Sequence, residues 1–229
     1  GRGRGPKPAL TVDGIVAAAT QLADTDGLDK LSMRRVADRL GVTAMSLYTY
    51  VPAKAELLDL MTDAAYGEIS LTPPGRTRWR RRLETIARDN LELYARHPWL
   101  VQVATSRPPL GPHVMAKYEH ELHAVERLGL TDVEMDSVLT LVLAFTHASA
   151  RGMAEQALAR QQTGIDDEQW WSANAPLLAR ILDPGRYPTA SRVGTAAGEQ
   201  HRSAHNPQHA FEFGLQRVLD GVAALIRTR

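Results

Sequence analysis

Between Leu31 and Lys54 the chain reads LSMRRVADRLGVTAMSLYTYVPAK, and few arrangements satisfy it. A short helix is predicted from about Ser32 to Leu40, with Ser32 as its N-cap. Gly41 follows, where a residue without Cβ takes a positive φ at little cost and ends the helix. A second short helix is predicted from about Thr43 to Thr49, and Pro52 marks the next boundary. Val36, Leu40, Val42 and Leu47 can then meet in one small core, with Ala37 small where the helices cross. That pattern is a helix-turn-helix, whose second helix enters the DNA major groove. The competing reading is a generic helical hairpin in an all-α protein.

At these residues a resemblance becomes plain. LSMRRVADRLGVTAMSLYTYVPAKAELLDLM resembles the DNA-binding domain of the tetracycline-repressor (TetR) family, including its aromatic-rich recognition-helix end, Leu47-Tyr48-Thr49-Tyr50, and the lysine that opens the next helix, Lys54. The likeness is specific from about Thr11 to Ala65. Beyond that it is looser, resting on helix order and on HPWL…SRP at 97–108. The form SMRRVA…SLYTYVP is most similar to actinomycete regulators associated with antibiotic export or biosynthesis. The resemblance implies an all-α chain in three parts: a flexible basic arm over 1–10, a helix-turn-helix domain over 11–56, and a larger ligand-binding and dimerisation domain over 57–229.

Composition agrees with this division. The 229 residues (25.2 kDa) are 44% hydrophobic, enough for a sizeable core. With no cysteine there is no disulfide or thiolate-held metal, which fits a reducing cytoplasm. No signal peptide is apparent, and the longest apolar stretch, Val138 to Phe145, is too short to span a bilayer. The net charge of +1 is unevenly spread. Residues 1–54 hold eight Lys/Arg against five Asp, a net of +3, which leaves −2 for the remainder. A basic head on a mildly acidic body suits a protein that touches DNA at one end.

Five of the first ten positions are Gly or Pro, so no helix forms there. Arg2, Arg4 and Lys7 on such a backbone are either a solvated tail or an arm for the narrow minor groove. A bracing helix is expected from Thr11 to Gly27, and a linking helix from about Ala53 to Ser70. Further helices are predicted over roughly 78–97, 111–128, 131–162, 168–182 and 207–226, with a short one opening at Pro98. Thr131-Asp-Val-Glu134 reads as a capping box. Residues 183–206, rich in Gly, Pro, Ser and Thr, read as a loop. The arginines at 78 and 80–82 read as a solvated helix face. The last helix carries an apolar stripe from Phe211 to Leu225, equally suited to a partner subunit or to the chain's own core.

Carried over position by position, the resemblance places Ala44, Met45 and Ser46 toward base edges and Arg34 near a guanine. Tyr48, Thr49 and Tyr50 fall where the family reaches backbone or outer bases, and Ser32, Thr43 and Lys54 where it holds phosphates. It implies a homodimer on a palindromic double-stranded operator, released by a small lipophilic effector. Candidates for the effector pocket are Met61, Trp99, Val103, Met115, Tyr118, His147, Arg151, Trp170 and Trp171, although for each one taken singly plain core packing is the favoured reading. Ser70 and Val103 stand where the tetracycline repressor itself uses histidines, so a metal-chelated tetracycline is not expected. No cofactor is implied. Neither the pair His120/His123 nor the set His201/His205/His209 forms a complete metal site. No nucleophile elbow, phosphate loop or HExxH supports an enzyme. A ligand-independent DNA binder or an activator of the same fold stands as the alternative.

Overall fold

The computed structural model describes residues 10–71, 78–103 and 107–229, and the basic arm with Arg2, Arg4 and Lys7 lies outside them. The described residues form helices and turns with no strand, as expected. The head begins with α1 (Val12–Asp26), capped by Thr11, whose hydroxyl accepts the Gly14 N–H at 3.1 Å. A 3₁₀ turn (Leu28–Lys30) leads into α2 (Met33–Leu40), and Ser32 accepts the Arg35 N–H as its N-cap. Gly41 turns the corner at φ 67, in the left-handed region that favours glycine. The second helix of the helix-turn-helix, α3 (Ala44–Tyr48), is only five residues long, and α4 (Lys54–Tyr66) leads away from it. Ile15, Ala19, Val36, Leu47, Val51 and Leu57 are fully buried between these four helices.

The body comprises α5 (Trp79–Arg96), a 3₁₀ turn (Pro98–Gln102), α6 (Pro112–Leu122), α7 (Asp132–Thr163), α8 (Asp167–Ile181), α9 (Pro188–His201) and α10 (Pro207–Arg227). The capping box of α7 is complete: Thr131 Oγ1 accepts the Glu134 N–H, and Glu134 accepts the Thr131 N–H at 2.9 Å. Leu83, Val138, Val142, Phe211, Leu215 and Leu219 close a core between α5, α7 and α10. Phe145 and Phe211 stack there with ring centres 5.9 Å apart.

The head is not sealed off from the body. Leu93, Tyr94, Trp99, Leu100, Val101 and Ala150 belong to the same buried cluster as Ile15 and Leu47. Rigid packing of this kind transmits displacement rather than absorbing it.

Several expectations from sequence are revised. Residues 188–201, read as loop, form α9. Pro188 stands at a favoured first helical position, and Gly194 and Gly198 leave a smooth strip on which Leu182 and the Trp171 ring lie. Tertiary packing thus outweighs a poor local propensity. α4 stops at Tyr66 and α6 at Leu122, each earlier than predicted. The arginine run is not a uniformly solvated face. Arg80 bonds Gln216 and Asp220 of α10, and Arg82 donates to the His123 carbonyl. The α10 stripe, from Phe211 through Leu215 and Leu219 to Val222, is buried within its own chain.

Candidate nucleic-acid interface and effector region

The face of the head that carries α3 is unusually apolar for a surface. Met45 is 76% exposed, and Tyr48 and Tyr50 are also exposed beside it. Thr43 caps α3, accepting the Ser46 N–H at 3.3 Å, and its hydroxyl lies 2.9 Å from that of Ser46. Ser46 is therefore held by its neighbour. Ala44 is half-buried against the head core, so of the three residues expected at base edges Met45 projects furthest. Thr49, exposed, turns its hydroxyl back onto the Met45 carbonyl. Buried Leu47 anchors the opposite side of α3.

The three arginines of α2 are not equivalent. Arg35 is bound to Asp26 at 2.5 Å and to the Lys30 carbonyl, and Arg39 donates to Gln21. Arg34 is exposed and has no side-chain partner among the described residues. Lys54, also exposed, opens α4, whose N-cap Ala53 supplies no side-chain hydrogen bond. The first N–H groups of α4 are thus left for an external acceptor. The Ser32 hydroxyl accepts the Arg35 N–H in capping α2 and keeps its own O–H to donate.

In the body the proposed pocket residues scatter. Met61 and Trp99 are fully buried in the head–body core, and the Trp99 indole donates to Asp24 at 2.8 Å. Val103 is half-buried against the same cluster. Met115 and Tyr118 lie on the exposed side of α6, with the Tyr118 hydroxyl on Asp136. Trp171 packs α8 on α9 beside exposed Trp170. Exposed Arg151 pairs with Glu155. His147 meets the Tyr94 ring edge-on, with centres 5.5 Å apart, and its Nε2 is buried without a partner among the described residues. Burial, reinforced by Arg151, lowers its pKa, so the ring is neutral at neutral pH.

The interior of the body is held instead by residues that sequence reasoning passed over. Lys117 is 8% exposed and Glu121 2%, paired at 2.7 Å, with Asn90 donating to Glu121 at 2.8 Å. The Lys117 ammonium lies 5.0 Å from the centre of the Tyr66 ring. Tyr66 and Tyr94 are hydrogen-bonded, and burial raises both phenol pKa values. Asn90 Oδ1 is buried without a partner among the described residues. An i,i+4 Lys–Glu pair ordinarily signals a solvated helix face. The signal available was that Val114, Lys117 and Glu121 share one stripe of α6, where an apolar residue would be expected at each position.

Residues 15–61 match the family model described as bacterial regulatory proteins, tetR family, and residues 72–226 match the tetracyclin repressor-like C-terminal domain. The chain is 45% identical over 228 residues to the HTH-type transcriptional repressor DrrR1 of Streptomyces coeruleorubidus, covering 99% of this chain and 82% of that protein. It is 33% identical over 219 residues to an HTH-type transcriptional regulator of Saccharopolyspora erythraea, covering 95% and 86%. Its structure is similar to apo ActR from Streptomyces coelicolor, with a TM-score of 0.77 and 27% identity over 99% of each chain. ActR in complex with actinorhodin matches with a TM-score of 0.78 at 28% identity, over 95% of this chain and 99% of that one. No helix among the described residues is long and apolar enough to cross a membrane. With both halves matched in order, the chain belongs to the tetR family of bacterial transcriptional regulators, which are transcription factors and not enzymes.

Proposed function

We infer that the chain is a repressor that occupies a palindromic DNA site as a homodimer until a small, flat, lipophilic molecule enters its body. The observation that carries this is the α3 surface: a protruding Met45 between exposed tyrosines, beside the unpartnered Arg34 and the uncapped start of α4. Met45 and Ala44 suit thymine methyls, Ser46 a base edge, and Arg34 a guanine. Lys54, Thr43 and Ser32 face phosphates, with Tyr48, Thr49 and Tyr50 at the flanking backbone. Arg2, Arg4 and Lys7 extend the contact into the minor groove. The head spans 11–56 and the body 57–229, with α4 as the lever between them: Leu57 and Met61 pack in the head core, while Asp63 binds the start of α6.

Two further observations support the reading. Leu141 on α7 and Phe213 on α10 remain exposed although α7 and α10 already pack together, an apolar surface suited to a second copy. In the body, Asn90 Oδ1 is buried with no partner among the described residues while its amide holds Glu121, the partner of Lys117, and an unmet acceptor there suits a donor such as a phenolic hydroxyl on an aromatic effector. ActR, similar in fold, has been solved with actinorhodin and with (S)-DNPA.

Fluorescence anisotropy against the protein's own upstream DNA, beside a scrambled duplex and across a salt series, tests the proposal. Sequence-dependent binding by a dimer is expected; equal affinity for the scrambled duplex would overturn it. Lys54→Ala should weaken binding to both duplexes and reduce the salt slope by about one ion. Arg34→Ala should relax preference at one base pair, a loss of about 1–3 kcal/mol. A uniform loss would instead place Arg34 on a phosphate.

A further inference from the structure

The end of the body remote from the head holds an open cleft of about 680 Å³, between the start of α5 and the turn that joins α6 to α7. Arg78, Trp79 and Arg82 line it from α5, and Ala124, Arg127 and Leu128 from the turn. α5 itself sets the distance to the head. His97, just past its other end, lies 2.8 Å from Asp24 on α1. Eighteen residues of helix keep the two ends about 27 Å apart. The cleft is therefore out of reach of a duplex laid on the head, and Asn90 lies about three turns further along α5.

Both halves of its chemistry are held in place. Trp79 and Leu128 are half-buried against the core of α5, α7 and α10, and Ala124 is buried within that core. Arg82, also half-buried, donates from Nη1 to the His123 carbonyl at 3.3 Å and so links α5 to the end of α6. Arg127 sits at φ 62, in the left-handed region, where glycine would make the turn with less strain. The turn itself does not call for an arginine. Neither Arg78 nor Arg127, both exposed, has a side-chain partner among the described residues. Glu126 is the one acid among the described residues lining the cleft, and its carboxylate lies 3.9 Å from His123 Nε2, with Glu119 at 3.6 Å. Three guanidiniums against one carboxylate leave an excess of positive charge. The start of α5, which has no side-chain cap, adds to it.

A guanidinium fork meets a planar carboxylate with two parallel hydrogen bonds, and its flat face stacks on an aromatic ring as an indole does. A lone inorganic anion would leave Trp79 and Leu128 facing water. A neutral aromatic molecule would leave the guanidiniums unpaired. A cleft of this volume accepts a small organic molecule. We propose that it binds a small aromatic carboxylate, with the ring on Trp79 and Leu128 and the carboxylate between the arginines of α5 and Arg127. Such a ligand ties the start of α5 to the turn between α6 and α7. The site is separate from the Asn90 region and does not depend on what the head binds.

Titration calorimetry of the native protein with 2-naphthoate, beside 2-naphthalenemethanol and sodium sulfate, tests the site without DNA. Naphthoate should bind at least about tenfold more tightly than either control, the value of one charge-assisted hydrogen bond. In ¹⁵N spectra the Trp79 indole signal, assigned with Trp79→Phe, should move during the titration. Those of Trp99, Trp170 and Trp171 should stay. Arg127→Gly should weaken naphthoate by about tenfold and still fold, because glycine suits φ 62. Arg78→Ala should weaken it as well. Arg81→Ala, exposed on the same helix but outside the cleft, should leave affinity unchanged. No binding of naphthoate up to about 5 mM would overturn the site. So would equal affinity for either control, a shift at another tryptophan in place of Trp79, or native affinity in both Arg78→Ala and Arg127→Gly.

Discussion

Replacing Gly111 by alanine is expected to destabilise the protein by about 3 kcal/mol, although it adds a single methyl group. Gly111 has φ −116 and ψ 157, a conformation open to any residue, so backbone freedom is not the reason for glycine here. Space is. A Cβ at this position would overlap the Asp63 carboxylate. That carboxylate is buried, with Oδ1 accepting the Val114 N–H at 2.9 Å and Oδ2 lying 2.9 Å from His113 Nδ1. Gly111 itself gives α6 no side-chain cap, so Asp63 caps α6 from across the interface with α4. The methyl group must either expel this cap or push α4 and α6 apart. For a chain of this size a fall in Tm of about 6–12 °C should follow. Asp63→Ala alone should also destabilise, by stranding the Val114 N–H. The double variant should be more stable than the two single losses summed, because removing the carboxylate makes room for the methyl. A melting temperature for Gly111→Ala within about one degree of the native value would mean that α4 and α6 do not meet as described.

The second large effect is expected at Leu47. This side chain is fully buried and carries the packing of α3 against the rest of the head. Five residues of helix are far too few to hold themselves in water, so α3 exists only because its inner face is packed. Leu47→Ala removes that anchor at a cost of about 2–5 kcal/mol. The damage should fall on α3 first, since α5, α7 and α10 close a separate core. Affinity for the upstream duplex should drop by more than about a hundredfold, while circular dichroism of the body stays near native. Met45→Ala is the contrasting case on the same helix. It is solvent-exposed, so Tm should hold while base preference changes. Native-like DNA affinity in Leu47→Ala would show that α3 is ordered by something other than its core contact.

These two sites differ in how far they could be read from the chain. Leu47 was legible because helix-turn-helix geometry is local: caps, a corner glycine and apolar residues lie within about twenty positions of one another. Ser32, Gly41 and Thr43 all take the parts their residue types suggest. Helices of the body were legible for the same reason, from Pro98 and the Thr131–Glu134 box. α9 was not, because its glycines argue against a helix until Trp171 is seen lying on them. The pocket residues were the least legible. A long aromatic or Met side chain satisfies a core and a cavity equally, and Trp99 and Met61 went to the core.

The amino-acid order alone thus determined the all-α class and the local helix-turn-helix of α2 and α3, since each depends on contacts between near neighbours. Only the tertiary structure decided which charged residues are buried and what they meet. Asp24 and His97 stand 73 positions apart and Asp63 and Val114 51, yet each pair is in hydrogen-bonding contact. Lys117 looks solvated by its spacing and is enclosed. Burial and partnership at such distances follow from how helices stack, and helix stacking is set by the sum of many weak apolar contacts that no short stretch of sequence displays.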